Sequence, residues 1–209
     1  MGGGRCSGTN EEGRIVPDTY QRWLDVLAAR LAAQAPPIPL AVVNEGIGGD
    51  WIIAASLNGP PTLDRLDRDV LERAGLAHVI FLQGMNDIGN GASAEAIIAA
   101  EEKIIDRVHA ERVRIIAGTL FPLARPDRAR WTASMEAQRI AVNSWIRTRA
   151  GFDGVIDFDR LMSGGPRIDG SESLKTEFHC ADLVHPNPAG YRAMGEFVDL
   201  ELFKTRNSR

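Results

Sequence analysis

Four short apolar runs, each opening into a loop that leads to a segment of helical period, constrain this 209-residue chain more than any other feature. They cover residues 40–44, 79–83, 113–119 and 155–158. Each is of strand length, and strands joined through amphipathic helices must run parallel, because a parallel connection needs a crossover. The helical segments are residues 63–71, 93–110, 132–149 and 187–202. Their apolar positions recur every three or four residues: Ile97, Ile104 and Val108 in the second, Met135, Val142, Trp145 and Ile146 in the third, and Tyr191, Met194, Val198 and Leu202 in the last. A further helix begins at Asp18 as its cap, with Tyr20, Trp23, Leu24, Leu27 and Leu31 on one face, and stops at Pro36, Pro37 and Pro39. Residues 163–178 read as a long polar loop. The pattern predicts an α/β protein, a parallel sheet covered on both faces, with right-handed crossovers. The domain spans residues 18–203, after an irregular Gly-rich segment 1–17 and before a tail 204–209.

A net charge of −4 and the lack of a Lys/Arg cluster argue against a nucleic-acid surface. No apolar run reaches membrane-spanning length. The sequence as written carries no signal peptide and reads as cytoplasmic, with secretion open if a leader precedes it. No metal-ligand or phosphate-loop motif occurs, since His179 and His185 lack a third ligand, so no cofactor is expected.

Chemistry-bearing residues gather at three loops. Asp182-Leu183-Val184-His185-Pro186 sets a carboxylate three residues before an imidazole, where it can accept from Nδ1–H and leave Nε2 as a base. Asn187 as N-cap and Pro188 at the first helical position then start a helix. Asn44-Glu45-Gly46-Ile47-Gly48-Gly49-Asp50 comes after the first apolar run, and Gly84-Met85-Asn86-Asp87 after the second. Both loops belong at the carboxyl rim of a parallel sheet, where ligands bind. A glycine N–H and an asparagine amide aimed at one point form an oxyanion hole. Taken singly, each of these loops is as well explained as a turn or a cap.

In this order the three segments resemble blocks II, III and V of the GDSL (SGNH) hydrolase family, over a stretch from about Tyr20 to Phe203. The resemblance implies a three-layer, flavodoxin-like sheet of order 2-1-3-4-5 and a serine ester hydrolase. Its substrate would be a carboxylic ester, such as an acetylated carbohydrate or another small ester. It implies catalytic His185 and Asp182, oxyanion donors Gly49 and Asn86, and a bracing role for Asn44, Asp50 and Asp87. Trp51, Phe121, Leu183 and Val184 would border the substrate or simply pack. Both cysteines, Cys6 and Cys180, would lie near the site, as a disulfide or as two free thiols.

The family's first block, Gly-Asp-Ser at the end of the first strand, does not occur in this sequence. The chain opens Met1-Gly2-Gly3-Gly4-Arg5-Cys6-Ser7, and Gly4-Arg5 resembles a dipeptide a few residues past the family's Ser. The nucleophile is therefore unassigned. Three readings stand: a sequence that begins after the nucleophile block, a non-catalytic relative that keeps the rim as a binding site, and a hydrolase in which Ser7 substitutes. The expectation is that the 209-residue chain is inactive as written, with a slot between residues 40–44 and 79–83 where the family's first strand would lie.

Overall fold

The computed structural model of the chain describes residues 20–36, 38–123, 131–148, 151–166, 172–180 and 184–204. Three parallel strands, β1 (His78–Phe81), β2 (Arg114–Gly118) and β3 (Gly154–Ile156), form a sheet in that order. Helix α1 (Trp23–Ala32) precedes them. Helix α2 (Thr62–Leu66) runs into a wider π-helical turn, Asp67–Leu71, and β1 is followed by the short α3 (Met85–Gly89) and the long α4 (Ala94–Ala110). Helix α5 (Ala133–Thr148) follows β2, α6 (Phe158–Met162) follows β3, and α7 (Pro188–Phe197) closes the fold.

Two apolar clusters sandwich the sheet. Ile97, Ile104 and Val108 of α4 and Val142 and Ile146 of α5 pack with Val79, Phe81, Ile115 and Ala117. On the other face Trp23, Leu24, Leu27 and Leu31 of α1 pack with Ile116, Ile156, Tyr191 and Met194. Strand alternation explains the split, since Ile115 and Ile116 are neighbours in β2 and point to opposite faces. The helices α1 and α7 approach closely because residue 195 is glycine: a Cβ there would lie 2.5 Å from Val26 Cβ and 2.7 Å from the Trp23 carbonyl. Arg30 Nη1 then donates to the Gly195 and Val198 carbonyls, both at 2.7 Å, and satisfies the end of α7.

Several expectations need correction. Tyr20 stands outside α1, exposed and at a φ of +48°. Residues 40–44 pair with no strand among the described residues. Residues 163–178 are not simply a loop: β4 (Ser163–Pro166) and β5 (Glu172–Leu174) form an antiparallel pair, followed by the 3-10 turn Thr176–Phe178. The last helix stops at Phe197, and Leu200–Phe203 is a separate 3-10 turn. A cavity of about 290 Å³ lies between residues 39–45 and β1, floored by Leu24, Leu27 and Leu31. No helix among the described residues is long and apolar enough to cross a membrane.

Candidate active site

The rim loops converge as the topology requires. Gly49, Asn86 and His185 line one cavity of about 160 Å³, with Trp23, Leu120, Phe121, Tyr191 and Met194 around them. Gly49 adopts a φ of +77°, a conformation suited to glycine, and a Cβ would meet Asn58 Nδ2 at 2.6 Å. Asn58 Nδ2 in turn donates to the Gly48 carbonyl at 2.8 Å, which fixes the turn. Gly84, at a φ of +129°, turns the chain from β1 into α3 and so brings Asn86 to the rim. Asn86 Nδ2 donates to the Asp50 carbonyl at 3.2 Å. That uses one of its two hydrogens and leaves the other for a ligand. His185 sits just before α7, whose cap is Asn187 Oδ1 accepting from Gly190 N at 2.9 Å. The His185 carbonyl accepts from Cys180 N at 2.8 Å, so its backbone is tied on both sides.

Three buried acids lie beneath the donors, each balanced differently. Asp50 Oδ2 accepts from Arg65 Nε at 2.9 Å and Nη2 at 2.7 Å, and both side chains are 1% exposed. Arg65 Nη1 also reaches the Glu45 carbonyl at 3.0 Å and Asp69 Oδ2 at 3.1 Å, so one guanidinium holds both ends of the 45–50 loop against α2. Asp87 accepts the backbone N–H of Ile52 at 2.9 Å and of Ile53 at 3.2 Å, which couples α3 to the same loop. Burial pushes the Asp87 carboxyl above its ordinary range, against the pull of those two amides. Glu101 of α4 has both carboxyl oxygens buried without a partner, and burial drives its pKa well upward, with the Asp87 charge adding to it. On the other side of the cavity, Asn143 both accepts from Leu120 N at 2.7 Å and donates to Leu120 O at 2.8 Å, which holds Phe121 at the rim.

The sequence model of the GDSL-like lipase/acylhydrolase family matches residues 7–193. The chain belongs to this family. Solved structures agree with the fold of a GDSL hydrolase. A carbohydrate acetylesterase family member from Sinorhizobium meliloti is 18% identical, with a TM-score of 0.66, covering 91% of this chain and 89% of that one. The aryl esterase of M. smegmatis is 18% identical, with a TM-score of 0.64 and coverage of 90% and 87%. Est24, a carbohydrate acetylesterase from Sinorhizobium meliloti, is 16% identical, with a TM-score of 0.65 and coverage of 90% and 87%. No curated protein matches the chain.

In this GDSL-family chain the structure brings Gly49, Asn86 and His185 together. Asp182, Leu183, Ser7 and Cys6 lie outside the described residues. Cys180 is buried, and its Sγ donates to the Pro186 carbonyl at 3.4 Å. His179 Nδ1 meets the Cys180 carbonyl at 2.9 Å, and no group of His, Cys, Asp or Glu among the described residues could hold a metal. Val184 is half-buried and Trp51 sits beside the loop, but neither lines the cavity, whereas Phe121 does. Asn44 braces its own turn, its Oδ1 accepting from Gly46 N at 3.0 Å. Sequence reasoning missed Arg65, Glu101 and Asn143. Polar residues at inward positions of a helical period were the available signal, most plainly Asn143 beside Val142.

Proposed function

We propose that this rim is the active site of a serine-type ester hydrolase, with Gly49 N–H and Asn86 Nδ2 as oxyanion donors, His185 as general base and Asp182 as its orienting partner. The convergence of Gly49, Asn86 and His185 on one small cavity carries the reading. His185 Nε2 removes the proton of a Ser hydroxyl as that oxygen attacks the ester carbonyl. Gly49 N–H, Asn86 Nδ2 and the Ser's own N–H receive the oxyanion, where each donor acts in a partly dry site. His185 then protonates the leaving alcohol. A water molecule, deprotonated by the same imidazole, releases the acid and restores the Ser. The cycle needs no metal or organic cofactor. The substrate is a small carboxylic ester, and an acetylated carbohydrate is the class we favour, because two of the similar folds are carbohydrate acetylesterases.

The nucleophile is unassigned; in the family it would end a strand lying beside β1. Among the described residues, no Ser, Thr or Cys lines the cavity with His185. Of the two cavities, the larger borders His78–Ile80 of β1 and the smaller borders Leu82–Asn86, just past its end. Trp23 Nε1 and Asp50 Oδ1, of residues that line the smaller cavity, and His78 Nδ1, of one that lines the larger, are buried without partners.

The test compares the 209-residue chain with the same chain carrying an apolar strand that ends in Gly-Asp-Ser, joined before Gly4. The expected result is no turnover of a short aryl ester by the first and clear turnover by the second. Turnover by the first that disappears in Ser7→Ala would make Ser7 the nucleophile. A folded but inactive second protein would make the rim a binding site without chemistry.

A further inference from the structure

The Gly49 N–H belongs to a peptide unit that its own sequence leaves free to face either way. Asp50 N donates to the Ile47 carbonyl at 3.3 Å and closes a β-turn with Gly48 and Gly49 at its centre. Gly49 takes the positive φ, +77°, that a type II turn requires at its third position. Types I and II share the closing bond and differ by a half-turn of the central peptide, here Gly48–Gly49. Glycine at both positions leaves either form open. One contact distinguishes them. Asn58 Nδ2 donates to the Gly48 carbonyl at 2.8 Å. This peptide is trans, so its carbonyl and its N–H point in opposite directions, and the Gly49 N–H faces away from Asn58. That N–H has no acceptor among the described residues, and Gly49 lines the cavity with Asn86 and His185. Asn58 is itself held: Ser56 N donates to the Gly59 carbonyl at 3.0 Å, and Asn58 N to Ser56 Oγ at 3.0 Å. Asn58 is exposed, and an exposed hydrogen bond adds little to the stability of a fold. Between two turns so close in energy, one ordinary bond is enough to decide.

We propose that Asn58 is a positioning residue: by holding the Gly48 carbonyl it selects the type II turn and so aims the Gly49 N–H into the cavity. Without that bond the central peptide turns over in a share of the molecules. In those molecules the Gly48 carbonyl stands where the donor stood, and an acceptor there repels an oxyanion instead of binding it. The rest of the loop has no reason to move. The Asp50 N to Ile47 O bond serves both turns, and the Arg65 and Asn86 contacts to Asp50 lie outside the turning peptide. What the N–H does for a substrate rests on the proposed hydrolase function. The choice between the two turns is a property of the folded chain and requires neither an ester nor a nucleophile.

The test is NMR on the full chain, wild type, Asn58→Ala and Asn58→Asp. In a type II turn the Gly49 amide proton lies against the Gly48 Cα protons, and in a type I turn against the Gly48 amide proton. The ratio of these two cross-peaks therefore reports which way the peptide faces. The Cα cross-peak should dominate in the wild type. The ratio should fall at least about threefold in Asn58→Ala, the weight of one ordinary hydrogen bond, and further in Asn58→Asp, whose carboxylate repels the Gly48 carbonyl. An unchanged ratio in both variants overturns the proposal and leaves the hydrolase reading intact, because no turnover enters the measurement. The second arm uses the chain joined to the Gly-Asp-Ser strand. There Asn58→Ala should lower kcat in the same proportion as it lowers the type II population, with little change in KM. A turned peptide with an unchanged kcat overturns the link between Asn58 and the oxyanion donor. An inactive parent protein, seen before any Asn58 variant is made, counts against the hydrolase reading alone, and the cross-peak ratio still decides what Asn58 does to the turn.

Discussion

Replacing Arg65 by methionine should be among the most damaging single changes available in this chain. Its guanidinium and the Asp50 carboxylate are each 1% exposed and meet at 2.7 Å. Methionine fills much of the volume but leaves Asp50 as an uncompensated charge in a site that water does not reach. Breaking a buried pair from one side costs about 3–5 kcal/mol, far more than the pair contributes relative to apolar residues of similar shape. For a domain of this size each kcal/mol moves the midpoint by roughly 2–4 °C, so Arg65→Met should melt roughly 6–20 °C lower. The Asp50→Leu/Arg65→Met double variant removes both charges and should recover most of the loss. Thermal and urea unfolding of wild type, both single variants and the double variant give the coupling energy directly. If Arg65→Met cost less than about 1 kcal/mol, the behaviour of a solvent-exposed pair, the clamp on the 45–50 loop would not be a buried one.

Gly195→Ala should lower stability by about 1–3 kcal/mol, because the added Cβ meets a backbone carbonyl and the helices must part. An unchanged midpoint in thermal unfolding would mean that α1 and α7 are not so close. Glu101→Met should raise stability by about 1–3 kcal/mol at neutral pH by removing an orphaned acid. Its folded pKa lies above the unfolded value near 4.3, so the wild type loses stability as pH rises through that interval and the gain should shrink toward acid. Urea titrations at acid and neutral pH decide it, and an equal gain at both would show that ionisation is not involved. Asp69 is held down to about 2, first by the hydrogen bond from Arg68. Its small contribution should be present above the unfolded value near 3.9 and fade as pH falls toward about 2. Unfolding midpoints of Asp69→Asn should lack that acid limb.

The elements that sequence made legible are those with a strong local signal. The period of Ile97, Ile104 and Val108 marks α4 almost to the residue, 93–110 expected and Ala94–Ala110 found. Asn187 and Pro188 mark the start of α7. The place of the Gly49 and Asn86 loops at the sheet rim followed from strand polarity, while the meeting of His185 with them was implied by the family resemblance. Residues 40–44 have strand composition but no pairing among the described residues, because composition reports a preference while a strand requires a partner. The β4–β5 pair escaped notice because its strands are three and four residues long and lack alternating apolar positions. Arg65 and Glu101 had only a weak signal. Glu101 falls on the inward stripe between Ile97 and Ile104, but charged residues on a helix are ordinarily solvated, and the tertiary packing is what shows these two buried while Arg68 and Glu102 are not.

The turnover number of Asn86→Ala, measured in the chain joined to an added Gly-Asp-Ser strand, tests the central claim most directly. A donor that serves the oxyanion acts on the transition state. Its loss should lower kcat by about 10²–10³, or about 2.7–4 kcal/mol in the barrier, with little change in KM. An unchanged kcat with an altered KM would contradict the account, for Asn86 would then be gripping the bound ester rather than the charge that forms on it.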